Sequence, residues 1–402
     1  MNHDARTDSA LRIALVTETF APEINGVAMT LGRLAEGLRA RGHALDIIRP
    51  RQPADRAGVP DHHVLRPGLP IPRYHGLRLG LPSGGMLRRR WRDDRPDVVH
   101  IATEGPLGWS ALRAAERLGI PISSGFHTNF HTYSGHYGIG WMRRAVLGYL
   151  RNFHNRTCAT LVPSTDLIDD LRAQGFLRLH LVGRGVDVCH FHPQHRDESW
   201  RRQWGVGPHD LVALHVGRLA PEKNIDLAVA AFLRLLAVRP DAHLVITGDG
   251  PERRRLERLA HARIHLLPAQ NPDDIARIYA SSDLFLFPSM SETYGNVVAE
   301  AMASELPVVA FDYAAPRLLI RDGDNGVLVR FGDEAAFIAR TVALGVDQAR
   351  MRACGLAART TTEGVTWDDV VGRFVTILGD VASGRLHDSP AATAVPIHSR
   401  TI

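Results

Sequence analysis

The sequence predicts an α/β fold of two doubly wound, Rossmann-like domains, each a parallel sheet with crossover helices, facing each other across a cleft. Three observations predict it. Short aliphatic or β-branched runs alternate with helical patterns along almost the whole chain, the signature of strands joined by crossover helices. At 402 residues the chain is too long for one ordinary core and fits two domains of common size. Between two series of strands, Asp187 to Gly207 is rich in Pro, His and charge with little periodicity, and marks the interdomain linker.

The first series of strands reads Arg12 to Glu18, Ala44 to Arg49, Val98 to Ala102, Ile122 to Phe126, Thr160 to Pro163 and Leu179 to Val182. Within it, Pro50 to Arg95 is long, carries many Pro and Gly residues and is expected to be poor in structure. The second series reads Leu211 to Gly217, His243 to Gly248, Ile264 to Leu267, Leu284 to Pro288, Val308 to Phe311 and Val327 to Val329. Thr366 is placed to cap an amphipathic helix that runs through Leu378. The expected domains are therefore 1–190 and 191–365, followed by a C-terminal helix over 366–386 that crosses back to the first domain. The tail 387–402 has little to bury and is expected to be disordered.

Composition narrows the function. Hydrophobic residues make up 45%, enough for a globular enzyme, and a net charge of +5 with many arginines favours phosphorylated ligands or an anionic membrane surface. There is no aromatic-studded basic groove, zinc spacing or helix-turn-helix pattern, so nucleic acid is not an expected partner. Three widely separated cysteines, Cys158, Cys189 and Cys354, imply neither a disulfide framework nor a metal site. Met1 to Ala10 lacks the apolar core of a signal peptide and no apolar run has the length of a membrane span. The expected location is cytoplasmic, with contact to the inner face of the membrane.

The most informative stretch is Ser291 to Pro307, which directly follows the strand Leu284 to Phe287. Glu292 and Glu300 stand there with seven residues between them, on either side of the point where Gly295 ends a loop and a helix begins. Free amides around Gly295, Asn296 and Val297, with the positive end of the helix dipole, can hold a phosphate or an electron-rich sugar oxygen. Carboxylates at such a place serve better as acceptors for hydroxyl groups, which points to a ligand carrying both phosphate and hydroxyls, as a nucleotide sugar does. Arg218 and Lys223, in the loop Val216 to Asn224, supply two cations able to neutralise a diphosphate without a metal, although a solvated loop carries such charges too. Gly248-Asp249-Gly250-Pro251 reads as a strand-to-helix turn.

At the end of the first strand, Gly26 would let backbone approach a phosphate at a helix N-terminus, or simply form a tight turn. This loop lacks the dinucleotide fingerprint Gly-x-Gly-x-x-Gly, which counts against a nicotinamide enzyme. His127 follows the strand Ile122 to Phe126, where it can hydrogen-bond a sugar hydroxyl or the acceptor; a structural histidine is the commoner outcome. Metal binding by His127, His131 and His136 is discounted, because no carboxylate or cysteine lies at ligand spacing. Arg88 to Arg92 around Trp91, and Arg143-Arg144 beside Trp141 and Met142, read either as interfacial membrane contacts or as solvated charge runs.

Taken in order, these motifs resemble the retaining glycosyltransferases of family 4, which have the GT-B fold, over about Leu11 to Leu378. The marks are Glu292/Glu300, Gly-Arg-Leu-x-Pro-Glu-Lys-Asn (Gly217 to Asn224), Gly-Asp-Gly-Pro (Gly248 to Pro251) and Gly-Val-Asp-x-x-x-Phe-x-Pro (Gly185 to Pro193). The resemblance implies an acceptor-binding first domain and a donor-binding second domain. It implies that Arg218 and Lys223 hold the donor diphosphate, that Gly26 belongs to the loop closing over it, and that Glu292 contacts the transferred sugar with the amides of Tyr294, Gly295, Asn296 and Val297 alongside. Glu300 would accept from the ribose hydroxyls, His127 would lie near the reacting sugar, and the base near Leu266 to Asn271. No cofactor or metal is implied beyond the donor. The segments Thr17 to Val27 and Phe126 to Tyr137 with Pro163-Ser164 look most like bacterial α-mannosyltransferases that use GDP-mannose, several acting on lipid-linked acceptors. UDP-sugar transferases such as glucosyl and sulfoquinovosyl transferases share much of the pattern, and a nucleotide-sugar epimerase on the same fold is a further reading. A glycoside hydrolase using Glu292 and Glu300 would leave Arg218 and Lys223 without purpose. One departure is Glu305, where the family usually has glycine, which questions the helix end there.

Overall fold

The computed structural model describes residues 10–386 apart from 22, 24, 54, 56–57, 71–77, 128–139 and 259–260, and describes 140–143 by backbone only. The chain divides into two compact units. The first takes residues 10–127, 140–183 and 367–386, and the second 184–366.

The first unit is built on β1 (Arg12–Val16), β2 (Ala44–Pro50), β3 (His63–Arg66), β6 (Val98–Ile101), β7 (Ile122–Gly125), β8 (Ala159–Val162) and β9 (Leu179–Leu181), with a short antiparallel pair β4 (Gly68–Pro70) and β5 (Arg78–Gly80) beside them. The main sheet is parallel throughout in the order β3-β2-β1-β6-β7-β8-β9. Its interior strand β1 is covered on both faces, so Ile13, Ala14, Leu15 and Val16 are all buried and read as a continuous apolar run rather than an alternation. The helices are α1 (Gly26–Ala40), α2 (Gly84–Asp93), α3 (Pro106–Leu118), α4 (Gly140–His154) and α5 (Thr165–Ala173).

The stretch Pro50 to Arg95, expected to be poor in structure, carries β3, the β4/β5 pair and α2. Leu87 and Trp91, four residues apart, form the buried stripe of α2 and pack into the core with Leu107, Ala111 and Leu112 of α3. Trp91 is 1% exposed, so its reading as a membrane-interface anchor is corrected: it is a core residue. An aromatic of this size buries roughly 150–250 Å², and at about 25 cal/mol per Å² its burial outweighs a place at the surface by several kcal/mol. Of the second such cluster, Arg144 is exposed, while the side chains of Trp141, Met142 and Arg143 lie outside the described residues.

The second unit repeats the plan with β10 (Val212–Val216), β11 (His243–Thr247), β12 (Ile264–Leu267), β13 (Leu284–Phe287), β14 (Val308–Phe311) and β15 (Val327–Val329), all parallel in the order β12-β11-β10-β13-β14-β15. Its helices are α6 (Glu198–Gln203), α7 (Ile225–Leu236), α8 (Arg253–Glu257), α9 (Pro272–Ala280), α10 (Asn296–Ala303), α11 (Ala314–Leu319), α12 (Glu334–Val346) and α13 (Gln348–Glu363). The last helix, α14 (Trp367–Ala382), lies on α1 in the first unit: Val371 packs against Gly37, and Arg41 reaches Asp368 at 2.7 Å.

The division falls between Gly183 and Arg184, not at 190/191. Asp187 to Gly207 is likewise no linker. Trp204 and Val206 sit in the core of the second unit. Arg201, 0% exposed, donates to the carbonyls of Gly207 and Asp210 and pairs with Asp283 at 3.3 Å. Its charge made the segment look solvated, whereas the guanidinium is spent on satisfying buried backbone. The tail 387–402 lies outside the described residues.

Candidate active site

In an open parallel sheet, ligands gather outside the carboxyl ends of the strands where the strand order reverses. In the second unit that point lies between β10 and β13, and the loops leaving them are Gly217 to Asn224 and Pro288 to Gly295. Topology alone therefore brings Arg218 and Lys223 to the same edge as Glu292. The loops are tied together, because the amide of Met290 donates to the carbonyl of Glu222 at 2.8 Å. Lys223 Nζ forms an ion pair with Glu292 Oε1, with side chains 17% and 12% exposed, while the more exposed Arg218 pairs with Glu222. In the free chain both cations thus rest on carboxylates of the chain itself.

The Gly-Asp-Gly-Pro motif acts through backbone shape. A Cβ on Gly248 would stand 1.9 Å from the carbonyl oxygen of Gly217, and one on Gly250 2.3 Å from that of Leu219. Leu219 N donates to Asp249 O at 2.8 Å and Glu252 N to Leu219 O at 2.9 Å, so this turn holds the loop that carries Arg218. Gly295, at φ +100°, makes the turn into α10, which begins with no side-chain cap. Tyr294 is buried beneath it and donates to the carbonyl of Arg184 at 3.1 Å. Asn296 Oδ1 is buried without a hydrogen-bond partner among the described residues. Val297 is half-buried on the first turn of the same helix.

Glu300 lies one turn further along α10, where burial pushes its carboxyl up to about 7 and the Tyr279 hydroxyl, donating at 3.2 Å, works in the opposite direction. Sequence reasoning missed three neighbours of these residues. Arg184 is buried with its guanidinium 6.0 Å from the Tyr294 ring, and burial lowers it to about 10 while the Glu292 charge opposes that shift. Tyr313 donates to Ser289 O at 2.8 Å, and burial with the Glu292 charge raises its hydroxyl well above the usual range. His215, on β10, donates from Nδ1 to Leu286 O at 3.0 Å, and burial holds it neutral by lowering it to about 4. Only the position of His215, just before Gly217-Arg218 on a strand end, was a usable signal.

Gly26 and His127 belong to the first unit, at the carboxyl ends of β1 and β7. Gly26 opens α1, two residues earlier than its expected start near Ala28, and the cap is a residue the sequence reading passed over. Asn25 Oδ1 accepts from the amides of Val27 at 3.1 Å and Ala28 at 2.9 Å, so two amides of this helix start are already taken. His127 is half-buried after the buried Phe126. His131 and His136 lie outside the described residues, among which no group of three or more His, Cys, Asp or Glu could hold a metal. Between Leu266 and Asn271, Thr247 Oγ1 donates to Pro268 O at 3.0 Å and Asn271 caps α9. A cavity of about 490 Å³ lined by Arg196, Asp283, Glu305 and Arg352 lies at the opposite, amino-terminal edge of this sheet.

Known proteins carry the same architecture. Residues 24–190 match the family model described as Glycosyltransferase Family 4, and 210–347 the one described as Glycosyl transferases group 1. The chain is 37% identical over 381 residues to a GDP-mannose-dependent alpha-mannosyltransferase of Mycolicibacterium smegmatis, covering 92% of this chain and 98% of that protein. It is 32% identical to the sulfoquinovosyl transferase SQD2 of Arabidopsis thaliana, covering 74% of this chain and 59% of that one. The sucrose-phosphate synthase structure from Thermosynechococcus elongatus superimposes with a TM-score of 0.73 at 19% identity, over 93% of this chain and 100% of that one. With paired Rossmann-like units and this likeness along nearly its whole length, the chain belongs to glycosyltransferase family 4 and is a glycosyltransferase of the GT-B fold.

Proposed function

We propose that the chain is a retaining α-mannosyltransferase that moves mannose from GDP-mannose to a hydroxyl of a lipid-linked or cell-envelope glycan acceptor. The observation that carries this reading is the reversal point of the second sheet, where Arg218, Lys223 and Glu292 meet an α10 N-terminus left without a side-chain cap. The mannosyltransferase relatives support the choice of sugar and donor.

The donor diphosphate takes the place that carboxylates fill in the free chain. Lys223 and Arg218 turn to the phosphate oxygens, the first amides of α10 add donors, and Glu292, released, accepts from hydroxyls of the sugar. Glu300 accepts from the ribose. Gly26 and His127 keep the roles that the family resemblance assigns them. As the bond from the anomeric carbon to the diphosphate breaks, the acceptor oxygen bonds to that carbon on the same face. Its proton passes to a phosphate oxygen of the leaving nucleoside diphosphate. The two cations stabilise the developing charge, a task a metal ion performs elsewhere, so no metal is required on this reading.

We place the protein in the cytoplasm, touching the inner membrane face. No helix among the described residues is long and apolar enough to cross a membrane. Arg89 and Arg92 on the exposed side of α2, with Arg88 half-buried next to them, suit an anionic surface. Vesicles containing anionic lipid should retain the wild type more than a variant with all three changed to Gln.

The deciding experiment incubates the protein with GDP-mannose and lipid and glycan extracts, followed by mass spectrometry. A product heavier by one hexose, formed only with an acceptor, supports transfer, whereas conversion of the donor without an acceptor would make it an epimerase. Melting curves with GDP, UDP and ADP identify the base: saturation at 100 times Kd stabilises by about 2.7 kcal/mol. Stabilisation by UDP alone would move the donor to a UDP-sugar.

A further inference from the structure

We propose that Tyr279 is a positioning residue for donor recognition: its hydroxyl holds one carboxylate oxygen of Glu300 and thereby presents the other to the ribose hydroxyls of the nucleotide. The proposal rests on the reading of Glu300 given above. Tyr279 is 0% exposed near the end of α9, a helix that starts directly after the segment Leu266 to Asn271 expected to meet the base. Its hydroxyl donates to Glu300 Oε2 at 3.2 Å and reaches Val297 O at 3.4 Å. Phe191 meets the ring edge-on and Phe285 lies tilted against it, both at 5.7 Å between centroids. Clamped this way, with only two rotatable side-chain bonds, the phenol has one place to put its hydroxyl.

Two features give the contact a purpose. Glu300 Oε1 has no hydrogen-bond partner among the described residues, so the carboxylate is fixed by one oxygen and bare at the other. The Tyr279 hydroxyl also favours the ionised carboxylate against the burial that raises it, and the ionised form is the stronger acceptor for a ligand hydroxyl. A phenylalanine at 279 would keep the packing and lose both effects.

The test measures binding of GDP and 2′,3′-dideoxy-GDP, or the corresponding UDP pair if only UDP stabilises the protein, to the wild type, Tyr279→Phe and Glu300→Gln, at pH 7 and pH 9. In the wild type the ribose hydroxyls should favour the natural nucleotide, and Glu300→Gln should abolish that preference. Tyr279→Phe should weaken the natural nucleotide roughly five- to thirtyfold at pH 7 and leave the dideoxy form unchanged. The deficit should shrink at pH 9, where Glu300 ionises without help. If Glu300→Gln keeps the preference, the reading of Glu300 is wrong. If only Tyr279→Phe keeps it, or weakens both nucleotides equally, Glu300 stands and the positioning role falls.

Discussion

In the first unit, the helices that follow β1 and β6 begin against side chains of the chain itself: Asn25 takes the amides of Val27 and Ala28 in α1, and Glu18 Oε1 accepts from Leu107 N in α3 at 3.0 Å. In the second unit, the corresponding helices α7 and α10 begin at Asn224 and Gly295 with no side-chain cap. The charges at the two places are also opposite. Glu18 and Glu104 lie together at one, and Arg218 and Lys223 lie at the other. Two sheets with equivalent strand orders therefore differ in what they leave for a ligand. An internal carboxylate already lies at the start of α3 in the first unit, whereas in the second α7 and α10 start without a side-chain cap, beside two cations paired with Glu222 and Glu292.

The largest test of this contrast is catalytic. Lys223→Ala should lower turnover about 10²- to 10³-fold, the cost of removing one electrostatic donor from a transition state, while Asn25→Ala should cost less than tenfold in steady-state assays. Equal losses would break the comparison.

Gly248→Ala comes next, because its Cβ must push the carbonyl of Gly217 away. A loss of roughly 2–4 kcal/mol in urea unfolding is expected from such a core clash. Full stability would mean that the loop carrying Arg218 is not held as described.

Glu18 gives a pH signature. Burial pushes it up to about 7, with the Leu107 amide opposing, so between about 4.5 and 7 the folded chain binds more protons than the unfolded one. Its contribution to stability falls as pH rises through that window. Glu18→Gln should therefore match the wild type near pH 4.5 and exceed it at pH 8 in denaturation midpoint. Buried His100, lowered to about 3 by desolvation, has the opposite sign and destabilises as pH falls below 6.5.

The same Asn25→Ala variant should lose about 1 kcal/mol of stability, as removal of an N-cap does, whereas no such cap exists to remove at α10. The smallest effect is expected at Glu305, which sits at φ +63° after α10, with its amide bonded to Met302 O at 3.1 Å and that of Leu306 to Ala301 O at 3.0 Å. This is the glycine-type helix end that the sequence departure put in question. Glu305→Gly should raise stability by about 0.5–1 kcal/mol, read as a higher melting temperature.

Much of the fold was legible because its signals are local. Buried parallel strands appear as unbroken apolar runs such as Leu284 to Phe287, and glycines mark the turns after them, so the positions of Arg218, Lys223, Glu292 and Glu300 relative to strands and helices followed from the chain order. What failed were inferences from local charge to exposure: the run around Trp91 and the charged segment Asp187 to Gly207 were read as surface, yet Trp91 and Arg201 within them lie in cores, because burial depends on what other segments bring to them.

The amino-acid sequence by itself determined the alternation of strand and helix, the motif loops and the membership of a family, since these depend on neighbours in the chain and on residue type. Only the tertiary structure decided that Lys223 rests on Glu292, 69 residues away, that Tyr279 holds Glu300, and that one helix start is capped while its counterpart is open. Those are contacts between distant segments, and the strand order that creates them is an outcome of packing both faces of a sheet at once.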